Sequence, residues 1–409
     1  MISMSRAINT VLENVKPVSA VEVKLGSVFG MVLAEDVVSD IDMPPFNKSA
    51  MDGYAVVSSA VKKTPITLRV TASIAAGVVY KGSSFKEESF ENNGADGDCV
   101  KIMTGAPVPE GMDAVVMLED TECRPDGKVK LFKKIESGQN VCVRGEDVRK
   151  GEIVLRKGTR ILGPEIAILA TAGKDSVSVF KKPAVGIVST GNEIVEPEAS
   201  LEEGKIRNSN GPMLAGLAEA TGCDVEYFGI AGDEEKILRK LILKGLKKDV
   251  MLLSGGVSVG DYDLVPEMLK KEGAELLFHG VLVKPGKPLL YAKKDGCSIF
   301  GIPGNPVSNF TSFNVFIKPA IYKMMGREDY NARFIDAFIE VDFINRSSRV
   351  HIIPSICSIV DGRCLVSPFR LNGSADINGC SRSNCFLIID ASATEIKKGD
   401  RVKVLPMDA

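Results

Sequence analysis

Most of the side chains that suit chemistry in this chain fall in five short loops, each ending an apolar run. They are Ser189-Thr190-Gly191-Asn192-Glu193, Gly229-Ile230-Ala231-Gly232-Asp233, residues 254–263, Lys284-Pro285-Gly286-Lys287-Pro288 and Ile302-Pro303-Gly304-Asn305-Pro306. Hydroxyls, backbone amides and two lysines together suit an anion, phosphate first. Glu193, Asp233 and Asp263 would repel one another on a shared edge unless a cation joined them. Carboxylate oxygens without histidine suit Mg2+, which also assists phosphoanhydride cleavage. Taken singly, each loop has a plain structural reading. Residues 254–260 match neither G-x-G-x-x-G nor the P-loop pattern and read first as a tight strand-to-helix turn. Lys284 and Lys287 read as solvated loop lysines. Asp233 reads as a helix cap, and Asn208-Ser209-Asn210 before Gly211-Pro212 as another. Their convergence points instead to a site that binds a phosphorylated ligand and cleaves a phosphate bond with Mg2+.

A parallel sheet would bring such loops to one edge, where ligands of open α/β sheets bind, outside the carboxyl ends of the strands. From Pro183 onward the sequence supplies one. Strands are expected at 184–188, 224–229, 249–253 and 275–281, with helices at 211–221, 234–246, 262–271 and 305–325. This alternation indicates βαβ units, hence a parallel sheet with helices on both faces. Ahead of it, Ile8, Val11, Leu12 and Val15 have helical spacing, with Ser3 or Ser5 as cap. Residues 21–160 show short β runs such as 66–70, 114–117 and 129–132, which suit a barrel or sandwich. Within this region Asp52-Gly53 reads first as a hairpin turn. A short helix follows Pro164, and β pattern returns after Ala332, at 334–341, 351–353, 385–389 and 401–405. The expected fold class is α/β plus β: a central parallel α/β sheet domain with β-rich N-terminal domains and a small C-terminal β-barrel domain. The expected division is 1–48 with 142–182, then 49–141, 183–330 and 331–409.

Composition narrows the chemistry further. Hydrophobic residues at 44% and charged residues at 25% fit an ordinary globular protein. A net charge of -2 excludes nucleic-acid binding by bulk charge. The two histidines, His279 and His351, exclude a multi-histidine metal centre and leave few general bases. Nine cysteines lack C-x-x-C or zinc-ligand spacing and read as reduced, buried, small apolar residues. Residues 1–16 hold no apolar signal core, and no run approaches a membrane span, so a soluble cytoplasmic protein is expected.

Seven segments in order resemble the molybdopterin molybdenumtransferase family, which includes the C-terminal domain of gephyrin. They are Ser49-Ala50-Met51-Asp52-Gly53-Tyr54-Ala55, Thr104-Gly105-Ala106-Pro107-Val108-Pro109, Arg144-Gly145-Glu146-Asp147, Ser189-Thr190-Gly191-Asn192-Glu193, residues 254–260, Lys284-Pro285-Gly286-Lys287-Pro288 and Pro303-Gly304-Asn305-Pro306. The resemblance implies a transferase that converts adenylylated molybdopterin and molybdate to molybdenum cofactor and AMP. It implies Mg2+ held by Glu193 and Asp263, with Asp233 nearby, against the pyrophosphate. Ser189, Thr190, Asn208, Ser209, Ser254, Gly255, Gly256, Pro303 and Pro306 would bind the nucleotide-bearing substrate. Lys284, Lys287, Pro288 and Ser308 would form the molybdate pocket, completed by Arg349 and Ser374. The family's elongated homodimer would bring Asp52, Thr104 and Asp147 to the partner's site, and the molybdopterin adenylyltransferase is a candidate partner. Two rival readings are that adenylyltransferase itself and a non-catalytic gephyrin-like scaffold. The first has chains resembling the central domain alone, and the second goes with a longer chain.

Overall fold

The computed structural model describes residues 1–82, 97–232, 234–257, 264–370, 373 and 375–407. Two compact units emerge. One comprises Met1–Glu35, Lys157–Ile166 and Ser176–Ala409, the other Asp36–Arg156 and Ala167–Asp175. Among the described residues, no helix is long and apolar enough to cross a membrane.

The first unit opens with helix α1 (Met4–Asn14), where Ser3 is the cap: its Oγ accepts from the Arg6 amide at 3.2 Å. Its central sheet contains β1 (Ala184–Thr190), β2 (Asp224–Ala231), β3 (Val250–Ser254), β4 (Glu275–His279), β5 (Leu290–Lys294) and β6 (Cys297–Ile302), in the order β2-β1-β3-β6-β5-β4. Every residue of β3 and β6 is buried, which is why neither shows a polar and apolar alternation. Helices α2 (Asn210–Thr221), α3 (Glu235–Gly245) and α4 (Leu264–Lys271) cross between strands. One apolar cluster joins α1 and α2 to one face, through Val11, Leu214 and Phe300. The other face packs α3 and α4 through Ile242, Leu253 and Met268. A continuous helical stretch follows β6, as α5 (Pro306–Ser312), a π turn (Phe313–Ile317) and α6 (Lys318–Met324). Pro319, which lacks an N–H for the helical ladder, stands just past that turn.

The expected parallel sheet forms the core, β2-β1-β3-β6, but the whole sheet is mixed. β5 runs antiparallel to both β4 and β6. A two-residue turn, Asp295-Gly296, joins β5 to β6, with positive φ of 48 and 89° as a type I′ hairpin requires. So short a link cannot connect parallel strands. β4 still points the same way as β3 and β6, so its carboxyl end reaches the same edge. The second strand also outruns its expected end, reaching Ala231 through a register shift opposite 187–189.

Five further strands close a barrel: β7 (Ile335–Ile339), β8 (Val350–Val360), β9 (Arg363–Pro368), β10 (Cys385–Ile389) and β11 (Arg401–Pro406). Closure depends on the length of β8, whose 11 residues pair with β10 in the first half and β9 in the second. Ala337, Ile353, Val366, Leu387 and Val404 fill the interior. Beside β8 lies the short strand Val283–Lys284, in register Val283 to Val350 and Lys284 to His351.

In the second unit, one six-stranded sheet runs in the order 114–117, 53–56, 98–102, 66–74, 128–131, 121–123. Tyr54 and Val56 feed an apolar cluster on one face, Ala55 and Val57 the other, as strand alternation dictates. The hairpin expected at Asp52-Gly53 is corrected. Strand Lys48–Ser49 pairs with Val141–Cys142, whereas Gly53–Val56 pairs elsewhere. Gly53 is needed for close approach instead, since a Cβ there would run into the Val116 carbonyl.

Candidate active site

Carboxyl ends of β1, β3 and β6 and the loop after β4 line one cleft of about 870 Å³ in the first unit, whose far side comes from the barrel. Thr190-Gly191, Glu193 and Gly255-Gly256 form one wall. Thr190 Oγ1 donates to the Ser254 carbonyl at 3.3 Å, holding the two loops together. Gly255 has φ +95°, and a Cβ there would strike the Thr190 carbonyl. Glu193 is exposed, and among the described residues no cation or hydrogen-bond donor meets its carboxylate.

Lys284, Lys287, Pro288, Ser308 and Arg349 line the same cleft. Both lysines are exposed on a loop anchored by buried Gly286, while Ser308 is only 2% exposed, in the first turn of α5. Arg349 donates to the Val283 carbonyl at 3.1 Å, which ties the barrel to the lysine loop. Pro303 is buried and Asn305 exposed where β6 gives way to α5. Their carbonyls accept from Nδ2 of the fully buried Asn309, at 2.7 and 3.1 Å. Asn210 Nδ2 donates to the Gly304 carbonyl at 2.6 Å and to Ser254 Oγ at 3.0 Å. Three successive carbonyls of that loop are thereby engaged by asparagine donors.

Not every expected residue reaches the cleft. Ser189, Asn208 and Ser254 are buried beneath it. Ser189 Oγ donates to Asn208 Oδ1 at 3.2 Å, the same oxygen accepts from the Gly211 amide at 3.1 Å, and Asn208 Nδ2 donates to the Tyr227 hydroxyl at 2.6 Å. Their polar groups hold α2 against β1 and β2. Ser209 is exposed at the start of α2, and Pro306 opens α5. Asp233, Asp263 and Ser374 lie outside the described residues. In the second unit, Asp52 Oδ1 accepts from both the amide and the hydroxyl of Thr104, each at 2.7 Å. These bonds, the amide first, hold its carboxyl below the usual range. Asp147 is exposed, on a segment whose amides bond to the Met43 and Pro44 carbonyls.

Two charged or titratable residues that line the cleft, Arg370 and His351, were not assigned to it by sequence reasoning. Burial first, then the charges of Lys284 and Arg349, push His351 down to about 4, so its ring is neutral at physiological pH. A lone histidine in an ordinary strand carries no signal of this. Only the register of two strands far apart in sequence sets it beside Lys284.

Comparison with known proteins matches this arrangement from end to end. Residues 2–173 match the MoeA N-terminal region (domains I and II), 186–323 a probable molybdopterin binding domain, and 337–407 the MoeA C-terminal region (domain IV). A molybdopterin molybdenumtransferase of Staphylococcus epidermidis is 34% identical over 99% of this chain and 95% of its own length. One from Staphylococcus aureus is 33% identical over the same shares. The crystal structure of a molybdopterin biosynthesis MoeA protein from Pyrococcus horikoshii superposes with a TM-score of 0.83, at 30% identity and full coverage of both chains. Three domain matches in order, with relatives that span the whole chain, establish that this protein belongs to the MoeA family of molybdopterin molybdenumtransferases.

Proposed function

We propose that this transferase of molybdenum cofactor biosynthesis inserts molybdate into adenylylated molybdopterin, with Mg2+-dependent cleavage of the adenylate and release of AMP. One observation carries the reading: Lys284, Lys287, Arg349 and the Ser308 hydroxyl gather in a cleft whose other wall bears Glu193. Ammonium and guanidinium donors suit a tetrahedral dianion through charge-assisted hydrogen bonds. Lysine, as a point charge, holds such an anion without the rigid fork that would hinder its departure. Across the cleft, Gly191, Gly255 and Gly256 leave room for a phosphate to approach the backbone. Glu193 supplies a hard oxygen without a described counter-ion, which fits a Mg2+ ligand. Asp263 and Asp233 complete the proposed carboxylate set. Bound there, the ion would draw charge from the pyrophosphate as its bond breaks.

The working unit in this proposal is a homodimer in which Asp52, Thr104 and Asp147 of one subunit complete the partner's cleft. That reading rests on the family resemblance and on these residues belonging to a separate unit. All nine cysteines are free, which suits the reducing cytoplasm. The adenylyltransferase of the preceding step would be the supplying partner. The test is direct: purified protein receives adenylylated molybdopterin, molybdate and Mg2+, and AMP is measured. AMP release that requires both molybdate and Mg2+ is expected. No AMP, or full activity in EDTA, overturns the reaction or its metal respectively.

A further inference from the structure

We propose that His351 carries the proton in the insertion step: its Nε2 takes a proton from a dithiolene thiol of the substrate and delivers it to the oxygen that leaves the metal. The proposal rests on reading the cleft as the site of molybdate insertion.

The ring's tautomer follows from its neighbour. Asn345 is 4% exposed and its Nδ2 donates to the carbonyls of Ala393 and Asp390, at 3.0 and 3.3 Å. Asn345 Oδ1 accepts from the Ser347 amide at 3.1 Å. Three contacts thus fix which end of the amide is oxygen. That oxygen lies 3.3 Å from His351 Nδ1, so Nδ1 must carry the hydrogen and donate. Nε2 is left with its lone pair. Among the described residues nothing bonds to Nε2, and His351 lines the cleft.

A pure acceptor is out of place in a pocket that merely holds an oxyanion. Molybdate at neutral pH offers no hydrogen, so an imidazole lone pair beside it is repulsive. The acceptor gains a purpose once protons must move. Insertion of molybdate into an enedithiol forms two metal–sulfur bonds and breaks one metal–oxygen bond. Both thiol protons leave with that oxygen as water. Charge is conserved, the metal keeps its oxidation state, and His351 begins and ends neutral.

Surrounding charges couple this base to its substrate. Lys284, on the strand paired with β8, and Arg349, just before β8, face the ring. Ile389 of β10 and Phe343, the other neighbours, are uncharged. Lys287 and Arg370 share the cleft. With the cleft free, burial and then the two cations keep the ring deprotonated. A bound dianion offsets their field and makes Nε2 more basic. The acceptor therefore strengthens only when the oxyanion is in place.

The test uses full-length protein carrying His279→Gln, so that His351 is the sole imidazole, labelled with nitrogen-15. We expect the neutral Nδ1–H tautomer, and a titration midpoint that rises when molybdate is added. An Nε2–H tautomer, or a midpoint indifferent to molybdate, overturns the proposal. In turnover, His351→Gln should lower kcat about 100-fold, the range for a lost general base, while half-saturating molybdate moves less than roughly threefold. Free imidazole should restore activity to His351→Ala. A change confined to molybdate affinity makes His351 a binding group and overturns its proton role. Wild type that fails to insert molybdate overturns the underlying reading. Wild type that inserts, matched by His351→Gln, overturns this proposal alone.

Discussion

Lys287 stands exposed on its loop, so truncating it should leave the fold intact and take one charge-assisted bond from the oxyanion. Losing such a bond costs about 1.5–3 kcal/mol, hence a ten- to hundredfold rise in the molybdate needed for half-maximal AMP release by Lys287→Ala. If the variant instead weakens only the nucleotide-bearing substrate, the lysine belongs to the phosphate end. Glu193→Gln keeps shape but removes the charge that a cation would seek. Its AMP release should slow and its Mg2+ requirement rise, with an unchanged circular dichroism spectrum. Equal activity at equal Mg2+ would count against Glu193 as a ligand. Gly255 tests the backbone itself. A methyl group there meets the Thr190 carbonyl and sits at φ +95°, so Gly255→Ala should cost about 1–3 kcal/mol in a urea titration. Wild-type stability would mean that the two loops are free to separate.

Elements differ in how openly the sequence declares them. The loops at the ends of β1, β3 and β6 were legible because small residues, hydroxyls and carboxylates break otherwise apolar runs. Asp-Gly shows where such local reading stops. At Asp295-Gly296 and Asp361-Gly362 it turns a hairpin, joining Lys294 to Cys297 and Val360 to Arg363 in register. At Asp52-Gly53 the same dipeptide binds Thr104 and lets two strands approach. The difference lies in partners distant in sequence, and a dipeptide cannot encode those. The same limit hid β5 and β6, whose alternation is erased by burial on both sides, and hid the meeting of His351 with Lys284. Asn309 offers a test at this scale, since its side chain donates to two carbonyls of the loop between β6 and α5. Asn309→Leu should orphan the Pro303 carbonyl at a cost of about 1–3 kcal/mol, while the Asn305 carbonyl keeps its bond from the amide of residue 309. Unchanged denaturation would show that solvent reaches the Pro303 carbonyl instead.

At the scale of the whole molecule, acid should find one specific weakness. His351 lies near 4 in the folded chain, against 6.5 for a free histidine. As pH falls through 6.5 the unfolded chain binds a proton that the native ring refuses, so stability drops between those two values and levels off below about 4. His351→Gln should flatten that window in a series of melting curves. A parallel pH dependence in both proteins would mean that the ring takes no part. A homodimer with shared clefts makes a different forecast. Mixing Asp52→Ala with Glu193→Gln, each impaired on its own, under subunit exchange should restore wild-type turnover at about a quarter of all sites, because half the dimers are mixed and each then holds one intact cleft. No recovery after confirmed exchange would mean that each cleft is built from a single chain.

The reversed strand β5 carries no residue of the cleft, yet it sets the gauge of the opening. Adjacent strands lie roughly 4.8 Å apart, and the lysine loop, which bridges β4 and β5, enters β5 one strand spacing from the Pro303–Pro306 loop at the end of β6. On that edge β5 begins rather than ends, so the lysine loop runs directly into it. In the proposed site the hairpin would set how far the lysine loop stands from the first turn of α5, and so how large an anion fits between them. Changes to the hairpin's interior packing should therefore retune oxyanion size preference without touching a single contact residue.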